Sequence, residues 1–188
     1  MDKLRVGVVG VGHLGQHHAR IYSTLPGVEL VGVVDADAEQ ARRVADKLGC
    51  KVVAGAEALA GQVDAVSVAT PTVAHLKVAR LFLERGAAAL VEKPLAPNVA
   101  EAQEMVDLAR SRGATLQVGH IERFNPAVRA ALDLGVKPVF IESHRMSPFR
   151  FRSVDVGVVF DLMIHDIDLV LRFVGAEVES VDAAGAPV

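Results

Sequence analysis

The sequence predicts an α/β protein: a doubly wound parallel sheet followed by an α/β segment that is cut short. Three observations predict it. Residues 4–35 read as a complete strand–helix–strand unit. Short apolar runs then alternate with helix-compatible segments as far as Gly119-His120. Near Leu134-Gly135 that alternation gives way to a different pattern.

The first unit carries the most information. An apolar run at residues 6–9 leads into Gly10-Val11-Gly12-His13-Leu14-Gly15, a G-x-G-x-x-G. A helix over residues 14–24 follows, Pro26-Gly27 breaks it, and a second apolar run over 28–34 ends in Asp35. Gly10 lets the chain turn tightly out of the strand. Gly12 lets a pyrophosphate approach the backbone, and Gly15 lets the helix pack closely. The helix N-terminus adds unpaired N–H groups and a partial positive charge. Asp35, twenty positions after Gly15, is placed to accept hydrogen bonds from a ribose. This is a Rossmann dinucleotide site; the alternative is a tight turn without a ligand. A carboxylate repels a 2′-phosphate, and no arginine is adjacent to Asp35-Ala36-Asp37, so the expected cofactor is NAD.

Further elements follow in order. Helices are expected over 38–48 (stopped by Gly49), 56–60, 73–85 (capped by Thr72, closed by Gly86) and 98–111, where Asn98 and Glu101 form a capping box. Strands are expected over 51–53, 65–69, 88–91 and 115–118. Strands alternating with helices imply a parallel sheet covered on both faces, with ligands beyond the strands' carboxyl ends. The glycine loop, Thr70-Pro71-Thr72, Glu92-Lys93-Pro94 and Gly119-His120 all fall at such ends. Past residue 134, alternation over 138–145 reads as a strand of another sheet. Residues 146–155 read as a loop with Arg150 and Arg152, 158–174 as a helix stopped by Gly175, and 178–183 as the start of a strand. One strand, one helix and one strand close a sheet poorly. The expected organisation is residues 1–120 as the NAD-binding domain and 121–188 as the first part of a substrate domain, completed by further chain or another subunit.

The 188 residues are 51% hydrophobic and 23% charged, with net charge −3. No basic block favours nucleic acid as a partner. Cys50 is the single cysteine, so no internal disulfide forms, and its reading is a small buried apolar residue. No apolar run approaches the roughly 18 residues of a membrane span. Met1-Asp2-Lys3 leads directly into the first strand without a signal peptide. The expectation is a cytoplasmic protein with no membrane partner.

Lys93 either donates to a substrate hydroxyl beside the nicotinamide or is a solvated lysine paired with Glu92. Asp161 and His165 stand i, i+4 on one helix and Asp168 follows at i+3, a pattern that suits a general base, a polar helix face or, less well, a metal site. His13, His17 and His18 read as surface or phosphate-proximal, and His75 as lining the cofactor cleft.

With these residues in place, the chain resembles the Gfo/Idh/MocA oxidoreductases. The resemblance rests on GVGHLG at residues 10–15, ATPTVAH at 69–75, VEKP at 91–94 and D-x-x-x-H at 161–165, in the family's order. It implies a Rossmann domain followed by an α/β domain used for assembly, hence a homo-oligomer at full length. It implies Lys93 near nicotinamide and substrate, His165 as proton acceptor and Asp161 beside them. The expected cofactor contacts are Gly10, Gly12, His13, Leu14, Gly15, Asp35, Thr70, Pro71, His75, Glu92 and Lys93. The segments GHIERFNP at 119–126 and 147–153 resemble the branch acting on sugar nucleotides, UDP-N-acetylglucosamine 3-dehydrogenases among them, which oxidise a sugar hydroxyl, here expected at C3. Arg123, Asn125, Arg150 and Arg152 are the expected substrate contacts, with Arg145 as a further pyrophosphate donor; the alternative pairs these arginines with carboxylates. A free sugar or inositol as substrate, and a non-catalytic NAD-binding regulator, are the other readings the resemblance allows. The family's members are usually longer.

Overall fold

A computed structural model describes residues 2–146 and 157–186. The chain divides into two compact units, Met1–Gly119 with Arg150–Asp161, and His120–Phe149 with Leu162–Val188.

The first unit is built on six parallel strands: β1 Leu4–Val9, β2 Val28–Val34, β3 Lys51–Val52, β4 Ala65–Val68, β5 Ala88–Val91 and β6 Leu116–Val118. Their order is β3-β2-β1-β4-β5-β6. Helices α1 Gly15–Thr24, α2 Ala38–Leu48, α3 Ala56–Ala60, α4 His75–Leu83 and α5 Val99–Arg112 connect them. In register, Val8 of β1 stands beside Val33 of β2 and Ser67 of β4. The strand order therefore reverses at β1, and the connections that leave β1 and β4 part there, opening a crevice at the carboxyl ends.

Two apolar clusters build the core. Val8, Val11, Ala19, Val33, Val44 and Ala45 join β1 and β2 to α1 and α2. On the larger side, Leu59, Val66, Val68, Phe82, Leu83 and Met105 unite β4 with α3, α4 and α5. The near-continuous Val and Ala runs of β1, β4 and β5 suit strands covered on both faces. Ends follow sequence chemistry. The Asp37 side chain accepts from the N–H groups of Glu39 and Gln40 to cap α2, and Asn98 accepts from Glu101 to cap α5. Glu101 Oε1 in turn accepts from the Asn98 side-chain amide at 2.8 Å. Thr72 differs from expectation: it opens a 3-10 turn, Thr72–Ala74, and α4 begins after it with no side-chain cap.

The second unit holds a 3-10 turn, Ile121–Phe124, and helices α6 Pro126–Asp133 and α7 Ile164–Val174. A π turn, Val159–Met163, precedes α7, so the helix expected over 158–174 changes pitch within its length. Residues 138–145 and 178–183 form no strand. Alternation reports which side chains share a face, but a strand also needs a neighbour for its N–H and C=O groups. Among the described residues none pairs with these segments. Arg150, Arg152 and the 147–153 motif lie outside the described residues.

Candidate active site

At the carboxyl ends of β1, β2 and β4 lies a cleft of about 440 Å³, lined by Gly10, Gly12, Asp35, Thr70, Pro71 and Lys77 among others. Gly10 makes it possible: its φ is +85°, and a Cβ there would stand 2.6 Å from the Ala69 carbonyl. A Cβ on Gly15 would overlap the Gly10 carbonyl oxygen, so the helix meets the strand closely. Asp35 braces the same loop. Its Oδ2 accepts the Val11 N–H at 2.7 Å and its Oδ1 accepts the Asp37 N–H at 2.9 Å. Each carboxylate oxygen keeps a second lone pair for a ribose hydroxyl. Gln40 of α2 adds a bond to the Val11 carbonyl at 2.6 Å.

Three features fit a phosphate-bearing dinucleotide. No side chain caps α1 and no acid stands in its first turn, leaving N–H groups for an anion. Open space faces Gly12. Thr70 Oγ1 is buried with no hydrogen-bond partner among the described residues. His13 and Leu14 are exposed in the glycine loop. Lys77, on α4, was not expected from the sequence; only its helical placement after Pro71 hints at it.

At the end of β5, Lys93 has a side chain only 11% exposed. Its Nζ donates to Asp161 Oδ1 at 3.0 Å and to the Asp161 carbonyl at 2.8 Å. It is therefore not the solvated lysine paired with Glu92. Glu92 turns instead to His18, whose Nε2 lies 3.1 Å from Oε1. This corrects the surface reading of His18, which also meets the fully buried Ser67 of β4. A serine in an otherwise apolar buried strand was the available signal. His17 is exposed.

His75 is also corrected. At 1% exposure it does not line the cleft. Its Nε2 lies 2.9 Å from the Thr70 carbonyl oxygen and its Nδ1 3.0 Å from that of Pro94. It ties the loop after β4 to the loop after β5.

In the second unit His165 lies on the first turn of α7. Asp168, expected to face it, is bound by Arg123, with Nε 2.8 Å from Oδ2. Burial raises the Asp168 carboxyl, but the Arg123 hydrogen bonds and the charges of His120, Arg123 and His165 outweigh it, so the group sits below the usual carboxylate range. Arg145 likewise holds Asp166, with Nε 2.6 Å from Oδ2, and lowers its carboxyl chiefly through that bond. Arg123 and Arg145 thus spend donors on Asp168 and Asp166, against the expectation of two guanidinia open to a pyrophosphate. Asn125 is corrected too: its Oδ1 accepts the Ala127 N–H at 3.0 Å and caps α6. Among the described residues no His, Cys, Asp and Glu cluster suits a metal ion.

Residues 4–120 match the family model for the Gfo/Idh/MocA oxidoreductases, described as an NAD-binding Rossmann fold. The chain belongs to the Gfo/Idh/MocA oxidoreductase family. UDP-N-acetylglucosamine 3-dehydrogenase of Acidithiobacillus ferrooxidans is 42% identical over 186 residues, covering 98% of this chain and 59% of that protein. A solved structure of that enzyme superposes with a TM-score of 0.93 at 41% identity, covering 100% of this chain and 62% of the other. Inositol 2-dehydrogenase of Rhizobium meliloti is 33% identical over 193 residues, covering 97% of this chain and 58% of that protein. GenD2 from gentamicin A biosynthesis, solved in complex with NAD, superposes at 0.83 with 28% identity, covering 93% of this chain and 54% of the other. The chain thus spans about three-fifths of the length of the curated relatives it matches. The cofactor expected from Asp35 agrees with the family's NAD-binding fold. No helix among the described residues is long and apolar enough to cross a membrane.

Proposed function

We propose that the protein to which this chain belongs oxidises a hydroxyl of a sugar nucleotide, UDP-N-acetylglucosamine-like and at C3. The observation that carries the chemistry is the Lys93–Asp161 pair at the carboxyl end of β5. A nearly buried ammonium, fixed by a carboxylate and a carbonyl, is preorganised to donate to a hydroxyl oxygen as negative charge develops on it. His165 takes the hydroxyl proton as the carbon–oxygen double bond forms. Bound NAD supplies the acceptor for the hydride leaving that carbon. Gly12, Asp35, Thr70 and the open end of α1 hold and orient the dinucleotide, and Asp161 holds Lys93. The likeness to a UDP-N-acetylglucosamine 3-dehydrogenase supports the sugar-nucleotide substrate. The likeness to inositol 2-dehydrogenases favours a cyclic polyol as the second reading. In this reading the protein is cytoplasmic and a homo-oligomer at full length.

The test mixes the protein with NAD and, separately, UDP-N-acetylglucosamine, its uronic acid, free glucose and myo-inositol, and follows near-ultraviolet absorbance. NADH with a UDP-sugar alone is the expected result. NADH with myo-inositol alone would replace the substrate assignment, and NADH with none in a full-length preparation that binds the cofactor would overturn the enzyme reading.

A further inference from the structure

A line of four polar side chains runs through the first unit beneath the end of β5. Tyr22 Oη and Ser67 Oγ are 2.7 Å apart. Ser67 Oγ lies 3.1 Å from His18 Nδ1. His18 Nε2 lies 3.1 Å from Glu92 Oε1, and Glu92 Oε2 accepts the Lys93 N–H at 3.3 Å. One set of hydrogen positions satisfies the whole line: Tyr22 donates to Ser67, Ser67 donates to His18 Nδ1, and His18 Nε2–H donates to the Glu92 carboxylate. A neutral imidazole suffices: the carboxylate, which only accepts, holds the proton on Nε2, and the serine hydroxyl then donates to Nδ1.

The far side of Glu92 is closed as well. A Cβ on Gly119 would stand 2.9 Å from Glu92 Oε1, so the carboxylate rests against the backbone of the sheet's next strand end. Its side chain is 13% exposed. A carboxylate this enclosed needs donors to stay in place, and among the described residues His18 and the Lys93 N–H supply them. Because Glu92 precedes Lys93, holding the carboxylate sets where the backbone of Lys93 leaves the strand, and so where Nζ meets Asp161.

We propose that His18 is a positioning residue for Lys93, acting through Glu92, with Ser67 and Tyr22 fixing the orientation of its ring. The inference rests on the role given to Lys93 above, but its primary readout is the position of the lysine and not turnover.

The experiment follows the Lys93 side-chain Hε–Cε signal of the folded chain by NMR, assigned by its loss in Lys93→Arg. His18→Leu removes the donor, and His18→Gln keeps an N–H near the Nε2 position. Tyr22→Phe removes only a hydroxyl and serves if His18→Leu does not fold. Expected is a signal distinct from the exposed lysines in the parent chain, moved most of the way toward them by His18→Leu, unmoved by His18→Gln, and moved partway in the same direction by Tyr22→Phe. A signal unmoved by His18→Leu, or in its place by Tyr22→Phe, overturns the inference. So does one moved equally by Leu and Gln, because ring volume and not the hydrogen bond would then hold the strand end. In a full-length preparation, His18→Leu is expected to lower kcat about tenfold to a hundredfold at unchanged KM for NAD. If Lys93→Arg keeps full turnover while the NMR shifts behave as expected, the catalytic reading of Lys93 fails and the positioning inference stands.

Discussion

Arg123 grips Asp168 with its Nε 3.0 Å from Oδ1 and 2.8 Å from Oδ2, and that carboxylate is 7% exposed. Removing the guanidinium strands a buried charge. Arg123→Leu is expected to cost about 2 kcal/mol, below the roughly 3–5 kcal/mol of a fully buried pair because Arg123 itself is half exposed. Because Asp168 titrates below its ordinary value, the stability it contributes is complete above the usual carboxylate range and is lost as pH falls through its lowered folded value. Urea unfolding across acid pH is expected to show that loss in the parent chain and a flatter acid limb in Asp168→Asn. Identical acid limbs would remove Asp168 from the titration.

Lys93 and His165 are expected to affect turnover and not cofactor binding. In a full-length preparation, Lys93→Ala or His165→Ala should lower kcat by about a hundredfold or more, with NADH binding by fluorescence almost unchanged. A variant that keeps parental kcat takes its residue out of the mechanism.

Asp35 braces the glycine loop and, in the proposed function, also accepts from the ribose. Asp35→Ala is expected to weaken NAD binding by roughly tenfold to a hundredfold, the equivalent of one or two charge-assisted hydrogen bonds, and to narrow the preference over NADP. Titrating both cofactors against the variant checks this. An unchanged NAD to NADP ratio would show that the ribose contact lies elsewhere.

His75→Leu removes the ring N–H that either the Thr70 or the Pro94 carbonyl accepts, according to the tautomer. A destabilisation of about 1–3 kcal/mol is expected from the unmet buried group, read as a lower denaturant midpoint at constant slope. His75→Gln, which can still serve one carbonyl, should recover part of it. Full stability in His75→Leu would mean that the two loops find other donors.

Much of the first unit was legible because its elements are bounded by local chemistry. Gly49 and Gly113 adopt left-handed φ values of 68° and 63° where the sequence places helix stops, and the apolar run of β2 ends at Asp35. The glycine fingerprint works through backbone geometry alone, so spacing suffices to find it. Partner choice among side chains was less legible. Whether Glu92 meets Lys93 or His18, and whether Arg123 stays open or closes on Asp168, depends on contacts between residues far apart in sequence. Periodicity says nothing about them. The strands expected at 138–145 and 178–183 failed for a related reason: pleat alternation is local, but a ladder needs a neighbour.

The strand order also has a consequence for the nascent chain. Every lining residue of the cleft named above precedes Val78, so the glycine loop, Asp35 and Thr70 can meet as soon as β4 and the start of α4 have left the ribosome. β5 and β6 then add one after the other to the same side. Until they do, β4 is an open edge carrying Val66 and Val68, a template for pairing with another chain. On the opposite side the short β3 is already paired with Gly32 and Val33 of β2. The delay before residues 88–91 emerge therefore sets how long the β4 edge stays open.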